Sequence, residues 1–368
     1  MIETGLSFVS GISKERDIAG ESRNKKQLSA LEKVKSIYEE IKDGKSIYKC
    51  TGIDAYGKEL IDAPVFLSPA YRWAKSHGIL NRTIHCGEDF LELVSGLRNI
   101  DESISFLDLD KNSRIGHAIA LGIDPETYYD CKNYVAFLSK SEALDNLAWL
   151  YVRLKKKHSK NVNQIKTTCL RQFSEIFNIA EPQSKYVIEQ YYYSRIIRTK
   201  SDIESYYECY SAESSFYKQA LNDAECKVHA KDIIYDTPLG TVALKWPKSI
   251  TLVSRILQKD IINMIAQRGI SLEVCPTSNL DIAQLGRYDK HPSIFIREYL
   301  NRNRYKQVSL SYNTDDRGVV STSLQHEYAL MLMAHAKMKC KGSISNSILD
   351  EMIKHGNDQR FRWDNNQV

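Results

Sequence analysis

Short apolar runs alternate with longer segments of helical period along much of this chain. The run Leu6–Val9 predicts a strand, and an apolar stripe at Leu28, Leu31 and Val34 predicts the helix that follows it. Five further runs predict strands at Tyr48–Asp54, Thr83–Cys86, Arg114–His117, Ile270–Cys275 and Gln307–Ser311. Strands that alternate with helices favour a parallel sheet with helices outside it, and thus an α/β fold.

The alternation stops between residues 124 and 248. This stretch holds 13 of the 22 tyrosines, and Ser139 and Glu142 have the spacing of a helix capping box before an apolar stripe. We therefore expect three parts: a barrel segment at 1–124, a helical tyrosine-rich insertion at 125–248 and a second barrel segment at 249–368. The insertion either packs against the barrel or forms an oligomer or substrate-gating surface, because tyrosine is enriched at interfaces.

Composition narrows the class of protein. The sequence has 368 residues, of which 42% are hydrophobic, and no window approaches the ~18 uninterrupted apolar residues of a membrane span. The N-terminus lacks a secretory pattern, and the eight cysteines show no Cys-x-x-Cys spacing, which argues against a disulfide framework and a thiolate zinc site. We expect a cytoplasmic protein. A net charge of +5 is too mild to predict a nucleic-acid binder.

Polar strings follow four of the predicted strands. They are His85-Cys86-Gly87-Glu88, Arg114-Ile115-Gly116-His117, Glu273-Val274-Cys275-Pro276-Thr277-Ser278-Asn279 and Thr314-Asp315-Asp316. The carboxyl ends of the strands form the catalytic face of a (β/α) barrel, so these strings predict an active site there.

The residue types suggest metal-assisted acid–base chemistry. His85 can ligate zinc, and Glu88 can move protons nearby without binding the metal. Adjacent side chains of an extended segment point to opposite sides, so Asp315 could bind a metal while Asp316 faces substrate. A solvated turn at Asp315 and Asp316 is the alternative. For Cys275 we expect a buried structural thiol.

In this order the four strings resemble the adenosine deaminase family of zinc hydrolases. Gly52-Ile53-Asp54-Ala55-Tyr56-Gly57-Lys58-Glu59, His291-Pro292 and Leu324-Gln325-His326-Glu327-Tyr328 are also similar to that family. The resemblance implies a (β/α)8 TIM barrel, here without the first two strands. It also implies a His-x-His pair on the first strand, which the nine histidines do not contain.

The resemblance assigns a role to each matching residue. His85 and Asp315 would ligate zinc, and Glu88 would protonate the purine ring. His117 would orient the attacking water. Asp316 would bind the imidazole side of the purine, and the Gly57 backbone its pyrimidine side. The implied reaction is hydrolytic deamination of adenosine or an adenine nucleotide to the inosine form.

Two features leave the function open. The long insertion resembles that of the RADAR antiphage deaminases, which implies a nucleotide substrate, a role in antiviral defence and a homo-oligomer. The missing His-x-His pair implies a partner chain that supplies it, or else a non-catalytic scaffold that retains a deaminase-like barrel. Ala118 stands where the family commonly has glycine, and Arg317 where it has proline.

Overall fold

The computed structural model divides the chain into two compact units. The sheet unit comprises residues 1–90, 99–123 and 258–368, and the helical unit comprises residues 91–98 and 124–257. The structure describes residues 7–14, 23–42, 49–57, 59, 64, 67–194, 240–283, 285–338 and 346–360.

The sheet unit contains a six-stranded parallel sheet, which confirms the predicted α/β class. Its strands are β1 (Ser7–Lys14), β2 (Lys49–Gly57), β3 (Asn81–Cys86), β4 (Ser113–His117), β7 (Ser271–Val274) and β8 (Leu310–Tyr312). They pair in the order β1-β2-β3-β4-β7-β8, so each lies beside its sequence neighbour in this sheet. All six predicted strands form, within a few residues of the expected bounds.

Helices lie between the strands of this sheet, and two more follow its last strand. They are α1 (Arg23–Lys42), α2 (Ser68–Ser76), α3 (Leu93–Phe106), α8 (Ser249–Arg268), α9 (Pro276–Ile282), α10 (Pro292–Arg302), α11 (Leu324–Met338) and α12 (Asn346–Asp358), where α3 and α8 contribute residues to both units. Proline occupies the first turn of α2, α9 and α10, where its missing N–H costs nothing. Among the described residues no helix has the length and hydropathy of a membrane span.

The sheet register separates an apolar row from a polar one. Ala55, Ile84, Ile115, Leu272 and Leu310 are paired across neighbouring strands, and all five are buried. In the next row His85 pairs with Gly116, which pairs with Glu273. Because successive strand residues point to opposite faces, the apolar row forms core on one face and His85 lies on the other.

The helical unit contains α4 (Pro125–Cys131), α5 (Lys140–Leu154), α6 (Lys160–Phe177) and α7 (Glu181–Ser194). The Ser139 hydroxyl accepts the backbone N–H of Glu142 at 3.2 Å, as the capping box predicts. The predicted apolar stripe of α5 is buried.

This unit also contains two strands that the sequence did not predict, β5 (Val135–Ser139) and β6 (Thr241–Lys245), which pair antiparallel. The expectation of a wholly helical segment was wrong here, because a short apolar run has no period that distinguishes a strand from a buried helix turn. Residues 195–239 of the predicted insertion lie outside the described residues.

Candidate active site

Polar residues from several strand ends converge at the carboxyl edge of the parallel sheet. His85 lies on β3, and Glu88 lies in the loop after it. His117 is the last residue of β4, and Asp315 follows β8 by three residues. Gly57 ends β2, where it pairs with Lys14 of β1. The sequence analysis placed the first four at strand ends and took Gly57 from the family resemblance, and the contacts below show which of them meet.

Asn279 on α9 connects Glu88 with His117. Its Oδ1 accepts the backbone N–H of Cys275 at 3.1 Å, which fixes the orientation of the amide. Its Nδ2 therefore donates, at 2.9 Å to Nδ1 of His117 and also to Oε1 of Glu88. Since Nδ1 of His117 accepts a hydrogen bond, the imidazole proton is on Nε2.

Glu88 has the environment of a general acid. Its side chain is buried, and its Oε2 lies 3.4 Å from Nε2 of His117. Burial raises the pKa of Glu88 to about 8, and the negative charges of Asp315 and Glu59 act in the same direction. The hydrogen bond from Asn279 acts to lower this pKa but has a smaller effect than burial. The carboxyl group therefore holds a proton at neutral pH and can donate it.

His85 lies half-buried beside His117, with 5.1 Å between the two ring centroids. Its Nε2 is 3.3 Å from Oδ2 of Asp54 on β2. The other oxygen of Asp54, Oδ1, is buried and has no hydrogen-bond partner among the described residues. This carboxylate adds negative charge beside the two imidazoles.

The two adjacent aspartates differ in their surroundings. Asp315 has a positive φ of 60°, and its Oδ2 is 4.0 Å from Nε2 of His117. Burial acts to raise the pKa of Asp315, but the Ser278 hydroxyl, the electrostatic influence of the nearby His117 ring and the Asp316 backbone N–H bring it below its ordinary value. The exposed carboxylate of Asp316 instead accepts the Gly318 N–H at 2.9 Å in a turn, so its contact with a purine stays a prediction.

The donor atoms at this edge could hold a metal ion. Nitrogen of His117, sulfur of Cys275 and oxygen of Asp315 all lie within 4.8 Å of one another, and His85 is beside them. Imidazole nitrogen, thiolate sulfur and carboxylate oxygen are the ligand types that zinc takes in proteins. Burial raises the pKa of Cys275, and the acidic groups of Glu273, Asp315 and Glu88 raise it further, so the free thiol keeps its proton at neutral pH.

Three residues of this cluster had no catalytic or binding role in the sequence analysis: Asp54, Cys275 and Asn279. Each belongs to a string that the sequence analysis singled out. Their positions along the chain could have indicated a role in the site. Asp54 lies near the carboxyl end of a strand, and Asn279 lies in the short helix that begins at Pro276. Their side-chain directions needed the three-dimensional structure.

The segment that carries His117 has a left-handed backbone. His117 has φ 66° and Ala118 has φ 49°, a region that costs residues with a Cβ roughly 1–2 kcal/mol. Glycine suits the position of Ala118 because it adopts positive φ without this cost. Backbone strain of this kind is common at functional sites.

Ala118→Gly is expected to be more stable than Ala120→Gly by about 1–2 kcal/mol in urea denaturation. Both substitutions remove a fully buried methyl group, but positive φ is found only at Ala118. Equal destabilisation by the two substitutions would show that the Ala118 backbone is not strained.

Comparisons with known proteins match part of this chain. A family model described as adenosine deaminase matches residues 220–342, which include the Cys275 string and the Asp315-Asp316 pair. An adenosine deaminase of Shewanella denitrificans is 28% identical over 115 residues, or 31% of this chain and 30% of that protein. An adenosine deaminase of Clostridium perfringens is 32% identical over 66 residues, or 18% of each chain.

The aligned segments span less than a third of the length of these relatives. The family-model match does not reach His85, Glu88 or His117, which resemble the family through their motifs alone. Over residues 220–342 the predicted resemblance to the adenosine deaminase family is confirmed.

Proposed function

We propose that this chain deaminates adenosine or an adenine nucleotide by hydrolysis, giving the inosine form and ammonia. One observation carries the proposal: Asn279 binds both Glu88 and His117 beside Asp315, so that an acid, a neutral imidazole and a carboxylate share one site. An acid beside an imidazole that can orient water is what the addition of water to a ring carbon requires.

Four residues of this chain have distinct roles in the proposed reaction. Glu88 donates its proton to the purine ring nitrogen as water adds to the amine-bearing carbon. His117 orients that water through its Nε2–H. Asp316 and the Gly57 backbone contact the two edges of the purine, as the family resemblance implies.

His85 and Asp315 would hold a zinc ion, with Cys275 as a further donor. Zinc, when bound, supplies the Lewis acidity that lowers the pKa of a water molecule toward neutrality. A partner chain is proposed to supply the His-x-His pair that the family resemblance implies.

Zinc content and deamination together test this proposal. We expect about one zinc per chain in the purified protein, lost on Asp315→Ala because a carboxylate ligand is removed. Zinc is measured by mass spectrometry, and ammonia release with adenosine, AMP and ATP. Asp350→Ala on exposed α12 is the matched control and should keep the metal. A wild-type chain without zinc and without ammonia release would favour the scaffold alternative.

A further inference from the structure

The buried carboxylate of Glu59 binds the loop that carries Glu88. It accepts three successive backbone N–H groups, from Gly87 at 2.5 Å, Glu88 at 3.0 Å and Asp89 at 3.1 Å. The side-chain amide of Asn99 donates a fourth hydrogen bond at 3.2 Å. Both oxygens of the Glu59 side chain thus accept hydrogen bonds from donors with fixed positions. Several N–H groups that converge in this way favour the negatively charged carboxylate.

The same loop is held on its carbonyl side by the segment after His117. The carbonyl of Cys86 accepts the Ala118 N–H at 2.9 Å, and that of Gly87 accepts the Ala120 N–H at 2.9 Å. Gly87 has φ 82°, and a Cβ there would lie 2.4 Å from Cδ1 of Ile100. The peptide groups of this turn are therefore fixed on both sides.

Hydrogen bonds that fix the backbone of Glu88 also fix its Cα, from which the side chain extends. From that point the Glu88 carboxyl reaches Asn279, and its Oε2 lies 3.4 Å from Nε2 of His117. A flexible side chain such as that of glutamate keeps two partners in one geometry only if its Cα is held in place.

We propose that Glu59 is a positioning residue, whose carboxylate holds the 87–89 loop so that Glu88 meets Asn279 and His117. The effect of Glu59 on catalysis rests on the proposed deaminase function. Its hydrogen bonds to the 87–89 loop do not depend on that function. Glu59 contacts the loop backbone and acts on the reaction through Glu88.

Glu59→Gln tests this role with little change of volume. A carboxylate only accepts hydrogen bonds, while the glutamine amide turns an N–H₂ group toward backbone N–H donors. We expect kcat to fall roughly 100-fold with KM nearly unchanged, because the acid is misplaced but the substrate surface is kept. We also expect faster deuterium exchange at the amides of residues 87–89, measured by mass spectrometry on the full chain.

Asp110→Asn is the matched control. Asp110 precedes β4 at the opposite end of the strands and pairs with Arg82 at 3.0 Å and Lys75 at 2.9 Å. This variant should lose stability while keeping the wild-type kcat and the wild-type exchange at residues 87–89. Unchanged exchange in Glu59→Gln, or an equal loss of kcat in Asp110→Asn, would overturn the proposal. If the wild-type chain does not deaminate adenine compounds, the proposed function fails, and exchange still decides whether Glu59 holds the loop.

Discussion

Glu88→Gln is expected to keep the fold and to lower kcat for adenosine deamination by roughly 10²–10⁴-fold. Glutamine has the shape of a protonated glutamate, and burial already keeps the Glu88 carboxyl protonated at neutral pH, since its pKa is raised to about 8. The amide oxygen can still accept the hydrogen bond from Asn279. What is lost is the acidic proton, so the chemical step should slow while the melting temperature is maintained.

Ammonia release under saturating substrate measures this effect, together with a thermal melt. Glu298→Gln, at an exposed position of α10, makes the same chemical change away from the site and should leave kcat unaltered. A Glu88→Gln chain that retains kcat within about tenfold of wild type would rule out Glu88 as the acid, because general acids contribute at least 10²-fold in typical enzymes.

Gly122→Ala is expected to destabilise the sheet unit by about 3 kcal/mol or more, the upper range for overpacking a buried site. A Cβ at Gly122 would lie 2.0 Å from the carbonyl oxygen of Pro292, and 2.6 Å from its carbonyl carbon. These are backbone atoms of the first turn of α10, so they cannot rotate away as a side chain would. Either α10 or the turn after His117 must therefore move.

Urea denaturation of the purified chain measures the loss. Gly356→Ala provides the comparison, because its Cβ would meet only the hydroxyl oxygen of Tyr328, at 3.2 Å. That hydroxyl is the end of a side chain, and alanine favours a helix by up to about 1 kcal/mol over glycine. Equal stability of the two variants would mean that α10 tolerates displacement at Pro292.

The parallel sheet could be predicted because its signal is local. Each of its strands is a short apolar run, and the polar residues that follow β3, β4 and β8 mark the carboxyl edge. Parallel strands bring their carboxyl ends to one edge, so a cluster of these polar residues at that edge could be expected from the sequence.

The contacts that organise the site could not be predicted in this way. Asn279 is 191 residues from Glu88 and 162 from His117 along the chain, and nothing local indicates which way its amide points. Glu59 is 28 residues from Gly87, in a string whose motif does not reveal a hydrogen-bond partner. The pair β5–β6 joins segments about a hundred residues apart, and neither run carries enough periodicity to be recognised alone.

The side-chain amide of Asn279 fixes which group donates and which accepts in each hydrogen bond of the site. The chain starts at the Cys275 peptide N–H, which can only donate, and passes through Oδ1 and Nδ2 of Asn279 to Nδ1 of His117. To become an imidazolium, His117 would have to add a proton at Nδ1, where it would face the Asn279 N–H₂ group. The peptide N–H of Cys275, 4 residues before Asn279, thus selects which nitrogen of a distant histidine carries no proton. The protonated nitrogen, Nε2, is the one that lies beside Glu88 and Asp315.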